Sequence, residues 1–381
     1  MLSKLILNNF KSFKNQTEID LTKTRYQFLE DNVADNDILK GVMFLGANAS
    51  GKSNIILALK LLLDLLFREK DINYGLFPCL FSDQEEFSID YYFTINQSEI
   101  KYLISYNPSQ KIICEKLYLN DKLLLERMGL TAKSYLNDEE RLYNQAHIDR
   151  DTLFLRTLHF NTGFAGNSTL KSWFEFLQNS VYFNAFDKSI ISYSKKDLNL
   201  LDYLEEKGTK EINNFFTERN FNQSIDYSSE NKNNNLITTT TKEKTIFFKR
   251  KGIETPIPFN YESLGNRTLL NLLPSFLSLI NNQGILIIDE FSSGFHNELE
   301  ELLVKYFMKS AQLSQMIFVS HSTNLASTSI LRPDQIYSVN FANQEGSWIK
   351  RFSDEQPRMA QNMEKMYLSG RFEGLPDYDQ N

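Results

Sequence analysis

GANASGKS, residues 46–53, is the stretch that decides the fold of this chain. It follows an apolar run, Val42–Leu45, and it opens a helical pattern from Asn54 to Phe67. A strand, a glycine-rich turn, Gly-Lys-Ser and a helix in this order predict a phosphate-binding loop. Glycines let backbone N–H groups converge on phosphate oxygens, and the helix start adds the positive end of a dipole. A chance glycine turn before a buried helix is the alternative, which the order, the spacing and the flanking segments all disfavour.

The loop predicts ATP and Mg²⁺ as cofactors. Lys52 is expected to reach the β and γ phosphates, and the Ser53 hydroxyl is expected to bind Mg²⁺. The residues predicted to surround the nucleotide are Gly46, Ala47, Asn48, Ala49, Ser50, Gly51, Lys52, Ser53 and Asn54.

Composition narrows the class of protein. The 381 residues allow two or three domains, and 41% apolar and 13% aromatic residues are enough for a sizeable core. The net charge of −7 argues against a broadly basic nucleic-acid coat, although a local basic stripe is compatible with it. Two cysteines without metal spacing fit a reducing cytoplasm. The longest apolar run contains Lys60 and Asp64 and is too short to span a bilayer, so we expect a soluble cytoplasmic protein without a membrane partner.

Apolar alternation in the first third predicts an antiparallel meander. Residues 87–95 alternate strictly, and residues 102–106 and 111–119 continue the pattern. Residues 2–7 and 18–21 are predicted to be two short strands.

The middle of the chain changes character at about residue 122. The runs LLLERMGL, TLFLRTLHF and SWFEFLQNSVYF have apolar residues three and four apart, which is typical of helices. Residues 222–242 are rich in Asn, Ser and Thr, which predicts a flexible loop or an excursion at a hairpin tip. We therefore expect a helical insertion over 122–240, forming a lid or arm, between two halves of one domain at 1–121 and 241–381.

The last third predicts a parallel sheet. Two fully apolar strands flank an amphipathic helix, and such a unit forms a right-handed crossover between parallel strands. The predicted elements are a strand at 245–250, a helix at 269–280 with Pro274 as a kink, a strand at 285–288, a helix at 297–312 and a strand at 316–319. Together with the meander, these elements predict an α/β fold with a mixed sheet and flanking helices.

An acidic pair, Asp289-Glu290, ends the predicted 285–288 strand. Ligands lie at the carboxyl ends of strands in parallel sheets. Asp289 is therefore predicted to hold Mg²⁺ through water, and Glu290 to polarise the water that attacks the γ-phosphate. A helix-capping or solvated pair is the alternative, which the phosphate loop disfavours.

His321 closes the next strand, and the same logic places its ring near the γ-phosphate as a hydrogen-bond donor or a sensor of hydrolysis. We expect His147 and His159 to be structural, and His296 to face a subunit interface.

A Ser-x-Gly turn at Ser263 and Gly265 opens the helix that precedes the acidic strand. A serine-capped helix start offers N–H groups and a hydroxyl to an anion. This turn cannot readily reach its own chain's nucleotide across the sheet, but it can reach one held by a second copy. About 235 residues separate the phosphate loop from the acidic pair, which argues against the usual hexameric AAA+ arrangement.

In this order GANASGKSN, SLGNR, ILIIDE and FVSHS resemble the motifs of ABC-type ATPases of the SMC/RecF/OLD group, and LILNNFKSFKN resembles that group's first strand. The segment YLSGRFEGLPD, Tyr367 to Asp377, looks like the tail of the small RloA/AbiLi-type ATPases (the AAA_15 type), which include the ATPase of PARIS-like anti-phage systems. The resemblance covers roughly residues 1–120 and 245–377.

The resemblance implies an ABC-ATPase head that holds ATP between at least two subunits, each nucleotide capped by Ser263 and Gly265 of the other copy. Residues 291–296 would then cross the interface. The signature lacks the second glycine and the glutamine of transporter ATPases, and Gln84 and Gln97 both remain candidates for the γ-phosphate-sensing glutamine.

OLD-type nucleases carry a metal-binding TOPRIM domain after the ATPase, and only about 60 residues follow His321 here. We therefore expect no nuclease centre in this chain. The predicted function is a slow ATPase that senses infection and controls a separate effector, TOPRIM-like or another toxin, in an anti-phage system. The alternatives are a RecF-like repair ATPase, with nucleic acid as a candidate partner, and a scaffold that binds ATP without hydrolysing it.

Overall fold

The computed structural model describes residues 1–68, 73–136, 139–144, 148–194, 199–228 and 244–375. Within them, an antiparallel sheet and a mixed sheet are stacked on a shared core, and a small third sheet packs into the core on the other face of the mixed sheet. The eight helices of this part of the chain are α1 (Lys52–Phe67), α2 (Phe154–Thr162), α3 (Ser168–Gln178), α4 (Leu200–Lys207), α5 (Lys210–Glu218), α6 (Leu264–Asn281), α7 (Asn297–Ser310) and α8 (Met363–Leu368). In the described helices no segment combines the length and the apolar character needed to cross a membrane.

The antiparallel sheet is built mainly from hairpins. Its strands, in spatial order, are β2 (Thr17–Asp20), β1 (Leu2–Asn8), β4 (Phe87–Ile95), β5 (Ser98–Asn107), β6 (Ile112–Leu119), β7 (Lys122–Met128), β8 (Thr131–Ser134) and β9 (Arg141–Tyr143). The predicted meander is confirmed, because β4, β5 and β6 pair in succession with antiparallel registers.

The central sheet carries the nucleotide motifs. Its spatial order is β11 (Ser189–Ser192), β10 (Val181–Asn184), β15 (Gln283–Asp289), β16 (Leu313–Val319), β3 (Gly41–Leu45), β17 (Ile336–Phe341) and β18 (Ser347–Arg351). The five inner strands are parallel, and both edge strands are antiparallel to their neighbours. The predicted α/β class with a mixed sheet and flanking helices is therefore confirmed.

The apolar runs follow from burial on both faces of this sheet. Val42 and Phe44 of β3 join the core shared with α1, α2, α3 and the antiparallel sheet. Met43 and Leu45 point to the opposite core, which α6 and α7 cover. Side chains alternate between the two faces of a strand, so a strand covered on both sides needs apolar residues at every position.

The third sheet comprises β12 (Gln223–Ser228), β13 (Thr245–Arg250) and β14 (Ile257–Pro258). The first two strands pair as an antiparallel hairpin, in which Ser228 lies opposite Thr245. Most of the Asn/Ser/Thr-rich stretch predicted to be a loop or a hairpin tip, residues 229–243, lies outside the described residues.

The prediction of a helical insertion over 122–240 is wrong for part of that stretch. LLLERMGL lies mostly in β7, which pairs with β6 across a turn at Asn120-Asp121. Both turn residues have positive φ, 48° and 62°, and this backbone twist matches a two-residue hairpin. The predicted boundary between 121 and 122 thus falls inside a β-hairpin. Apolar spacing over short runs does not separate helix from strand. Here the turn at Asn120-Asp121 decides that the run forms a strand.

SWFEFLQNSVYF also divides into two elements. Its first part is α3, which ends at Gln178, and Val181–Asn184 is β10. Val181 pairs with Leu286, so this strand belongs to the central sheet and not to a separate arm. The helical prediction does hold for α2 to α5. The helix predicted over 269–280 begins earlier, at Leu264, and continues through Pro274.

Candidate functional site

The phosphate loop connects β3 to α1 at the carboxyl edge of the central sheet. Gly51 has φ 108°, and a Cβ there would lie 2.4 Å from Ser347 Oγ. A Cβ on Gly46 would lie 2.4 Å from the Val339 carbonyl oxygen. Both positions therefore require glycine, because a side chain would collide with the neighbouring wall.

Lys52 points back into the loop. Its Nζ donates to the Gly46 carbonyl at 2.9 Å and to the Ala47 carbonyl at 2.7 Å, and the residue is buried. Burial lowers the pKa of Lys52, while Glu290 and Asp289 act in the opposite direction. Ser50 Oγ is buried without a hydrogen-bond partner among the described atoms. A lysine held over the loop and a buried unpaired hydroxyl both suit a phosphate group.

Ser53 and Asp289 meet although 236 positions separate them in sequence. Ser53 Oγ donates to Asp289 Oδ1 at 3.0 Å. Burial raises the pKa of Asp289, and the hydrogen bond from Ser53 opposes that shift. One hydroxyl, one carboxylate and phosphate oxygens form a donor set that Mg²⁺ accepts. Among the described residues no cluster of three or more His, Cys, Asp or Glu side chains could hold a metal ion.

Register explains why the strand ends converge. Ile288 of β15 pairs with Phe318 of β16, and Phe318 pairs with Met43 of β3. Asp289, which ends β15, therefore lies at the same edge as Ser320 and Gly46, which follow β16 and β3, as the parallel arrangement requires.

Glu290 follows β15 in a left-handed conformation, with φ 55° and ψ 42°. Its Oε2 lies 3.8 Å from His321 Nε2 and accepts from Ser293 Oγ at 3.4 Å. Burial lowers the pKa of His321, Lys52 lowers it further, and Glu290 raises it. The lowered pKa favours the neutral imidazole. The structure thus brings Lys52, Glu290 and His321 together, beside the Ser53–Asp289 contact.

Ser263 and Gly265 are not part of this cluster. Ser263 caps α6, because its Oγ accepts from the Asn266 N–H at 3.3 Å. The residue is exposed, and in the described part of the chain it has no hydrogen bond to residues 46–54. A Cβ on Gly265 would lie 3.9 Å from the Gly294 carbonyl oxygen, in the loop after the acidic pair.

Two serines behind the phosphate loop were not predicted from the sequence. Ser347 Oγ donates to the Ser50 carbonyl at 2.6 Å and lies 2.7 Å from Ser12 Oγ. Asn54 Nδ2 in turn donates to Ser12 Oγ at 2.7 Å. These contacts fasten the loop to the β1–β2 turn and to β18. No motif marks Ser347, and Ser12 lies in the first-strand segment without a predicted role.

The remaining sequence candidates are placed as follows. His159 stacks on Phe174 at a centroid distance of 3.7 Å, and His296 caps α7 by accepting from the Glu298 N–H. Gln97 lies in the β4–β5 turn, and the Gln84 carbonyl oxygen accepts from Asn9. His147 and Asp377 lie outside the described residues.

Several solved structures are similar to this chain. An SMC head domain from Thermotoga maritima has 17% identity and a TM-score of 0.48, covering 92% of this chain and 98% of its own. An Smc head bound to the C-terminal winged-helix domain of ScpA has 15% identity and a TM-score of 0.49, covering 91% and 96%. An Smc head with an extended coiled coil, bound to the C-terminal domain of ScpA derived from Pyrococcus furiosus, has 14% identity and a TM-score of 0.49, covering 97% and 99%.

No curated protein matches the chain. A family profile does match, and it covers residues 42–327, from the strand before the phosphate loop to the segment after His321. That match spans most of the chain and includes every motif residue of the site. The chain therefore belongs to the AAA-domain family described as putative AbiEii toxin of type IV toxin–antitoxin systems.

Proposed function

We propose that this chain is an ATP-driven switch of a bacterial anti-phage system, in which ATP closes two copies and the closed state controls a separate effector. The Ser53–Asp289 contact at 3.0 Å carries the nucleotide part of this proposal, because it joins the phosphate loop and the acidic strand into one Mg²⁺·ATP site. The family description, which names a toxin–antitoxin context, supports the defence role.

The proposed hydrolysis assigns one task to each group. Lys52 neutralises charge on the β and γ phosphates, and Ser53 with Asp289 would hold Mg²⁺, directly and through water. Glu290 accepts a proton from the attacking water. The neutral His321, 3.8 Å from Glu290, donates a hydrogen bond to the γ-phosphate and reports its loss. Bound Mg²⁺ would polarise the γ-phosphate oxygens.

An exposed apolar surface supports completion of the site by a second copy. Tyr261 and Leu264, next to Ser263, are 75% and 50% exposed, and Phe186 is 72% exposed. Gly294 lies close to the sequence neighbours of Phe186 and Leu264. A Cβ on Gly294 would lie 3.0 Å from Ala185 Cβ, and a Cβ on Gly265 would approach the Gly294 carbonyl oxygen. We call Phe186, Tyr261 and Leu264 the edge patch. Large apolar side chains gathered at the edge that carries the nucleotide motifs suit an interface between copies.

Mixing two inactive variants tests completion in trans. Ser263→Arg keeps an intact phosphate loop, and Lys52→Ala keeps an intact α6 start. A mixed dimer of the two therefore contains one complete site. Random pairing of equal amounts makes about half of the dimers mixed, so ATP hydrolysis is expected to recover to roughly a quarter of the wild-type rate. Phosphate release from the mixture is the measurement.

The matched control for the mixing test is Leu313→Arg. Leu313 is exposed like the edge patch, but it begins β16 at the opposite edge of the sheet. This variant should retain full activity by itself. Mixed dimers that form, shown by mass, and yet release no phosphate would contradict sharing of the site.

Phage challenge tests the defence role. Cells carrying this gene and its neighbouring gene are expected to survive infection, whereas cells with Lys52→Ala or Glu290→Gln in this chain should lose protection. The chain expressed alone should leave growth unchanged. Growth arrest by this chain alone would make it the toxin itself and would overturn the proposal of a separate effector.

The narrower placement among RloA/AbiLi-type ATPases stays a prediction. Co-purification of the neighbouring gene product with this chain, in an amount that changes with ATP, would support the effector model. Salt-dependent binding of duplex DNA by the isolated chain, with no captured protein partner, would support the repair alternative instead.

A further inference from the structure

A buried carboxylic acid lies directly behind the segment that carries His321. Glu300 belongs to the first turn of α7, and its side chain is fully buried. The proposed chemistry does not use it. In the described part of the chain no lysine or arginine forms an ion pair with it, and the charge that acts on its pKa is that of His296, four residues earlier.

Two buried serines flank the histidine, and the first of them contacts this carboxyl group. Ser320 Oγ donates to Glu300 Oε2 at 3.4 Å, whereas Oε1 is buried without a hydrogen-bond partner among the described atoms. The hydroxyls of Ser320 and Ser322 both act to lower the pKa of Glu300. The Ser322 N–H donates to Ser320 Oγ at 3.0 Å, so a hydrogen bond within residues 320–322 fixes the backbone on both sides of His321. Ser-His-Ser is therefore held on its inner side by Glu300.

The geometry explains which way the histidine faces. Ser320 and Ser322 are buried, while His321 between them is exposed enough to reach Glu290. Successive side chains of an extended segment point to opposite sides. Anchoring both serines inward therefore turns the intervening ring outward, toward the phosphate loop. A second contact, from the His321 N–H to Ser292 Oγ at 3.1 Å, ties the segment to the loop after the acidic pair.

Stability does not account for a glutamate at this position. A buried carboxyl group without a cation costs free energy, and an apolar side chain of similar volume is often neutral or stabilising in its place. Burial accordingly raises the pKa of Glu300, although the two serine hydroxyls and His296 oppose the shift. The group is thus better explained by what it orients than by what it contributes to folding.

We infer that Glu300 is a positioning residue that, through Ser320 and Ser322, holds His321 in the orientation needed to contact the γ-phosphate. This inference rests on the proposed ATPase function. It predicts that removing the carboxyl group slows hydrolysis while ATP binding stays unchanged, because the phosphate loop itself does not touch Glu300.

Glu300→Leu and the double variant Ser320→Ala/Ser322→Ala test the inference. Each is expected to lower kcat by about tenfold or more, as misplacing a reacting group by about 1 Å does, and to leave the Kd for ATP within about twofold. Glu300→Gln keeps an acceptor for the serines and should retain most of the wild-type kcat. Thermal unfolding of all three variants shows whether they fold as the wild type does.

A double-mutant cycle with His321→Ala separates positioning from a general structural effect. In the His321→Ala background, Glu300→Leu should change kcat by less than about twofold, because the ring that it orients is already gone. Equal losses in both backgrounds, or a Kd for ATP that rises as much as kcat falls, would overturn the inference.

A readout without turnover keeps the inference distinguishable from the ATPase proposal. The pKa of His321, followed by NMR with His321→Ala for assignment, should lie below the ordinary histidine value in the wild type, since burial and Lys52 lower it. In Glu300→Leu that pKa should rise as the ring turns toward solvent. An unchanged pKa would refute the positioning role even if the chain hydrolysed no ATP. A raised pKa in a chain without ATPase activity would instead contradict only the proposed function.

Discussion

Lys52→Ala should abolish ATP binding at micromolar nucleotide. The Nζ lies at the centre of the loop, where it donates to the Gly46 and Ala47 carbonyls, and it would transfer those hydrogen bonds to phosphate oxygens. A hydrogen bond to a charged group contributes about 1.5–3 kcal/mol. Losing two such bonds weakens binding about 100-fold or more, since each 1.4 kcal/mol is tenfold. Titration with a fluorescent ATP analogue measures the effect.

Lys60→Ala is the matched control for Lys52→Ala. Lys60 lies two turns further along α1, where it pairs with Asp64 and lies over the Tyr182 ring. Lys60→Ala removes the same charge from the same helix at a position that does not face the loop. The Kd for ATP should therefore remain near the wild-type value. Tight ATP binding by Lys52→Ala would show that residues 46–53 are not the phosphate site.

Glu290→Gln should separate hydrolysis from binding. An amide cannot accept the proton of the attacking water, and positioned general bases contribute about 10²–10⁴-fold to rate. Phosphate release should therefore fall at least about 100-fold. The amide also removes one negative charge beside the γ-phosphate, so ATP should bind at least as tightly and hold the two copies together. Phosphate release and particle mass with and without ATP measure the two effects.

Glu301→Gln provides the comparison for Glu290→Gln. Glu301 is half-buried on α7, where it pairs with Lys305, and losing its charge should change neither rate nor mass. Wild-type phosphate release by Glu290→Gln would exclude this carboxylate as the base. If Glu290→Gln stops releasing phosphate but its particle mass does not rise with ATP, Glu290 remains the general base and ATP-dependent closure is contradicted.

The two variants together also discriminate between mechanisms. A scaffold that only binds ATP loses binding in Lys52→Ala and is unaffected by Glu290→Gln. A switch that needs turnover is affected by both variants. Lys52→Ala lowers the fraction of assembled copies, and Glu290→Gln raises it. Protection against phage in the Glu290→Gln variant would indicate that closure alone, without hydrolysis, controls the effector.

Local patterns predicted several elements correctly. The phosphate loop is one contiguous segment, and its glycines, lysine and serine interact within a few residues of each other, so order and spacing are sufficient. The meander and the β15–α7–β16 crossover were likewise predictable, because each is a contact between neighbours in sequence. The acidic pair and His321 could be placed at the same edge because parallel strands end together.

Errors arose where local preference was overridden by pairing. Leu123 to Leu125 read as a helix but form a hairpin strand, since Asn120-Asp121 adopts the backbone of a tight turn. Val181–Asn184 read as the end of a helix but fill a place beside β15. Short apolar runs fit both conformations, and which one forms depends on the partner strand.

The amino-acid sequence by itself determined the glycine-rich loop between a strand and a helix, the acidic pair at a strand end and the histidine at the next one, because each is carried by residue types at short, characteristic spacings. Tertiary structure alone decided that Ser12 and Ser347 brace the loop from behind, that Gly294 lies close to both Ala185 and Gly265, and that Glu300 lies behind the Ser-His-Ser segment. The physical reason is that these contacts join residues from different elements, and strand order and register decide which side chains meet. Those are properties of the packed chain, and no short stretch of the sequence encodes them.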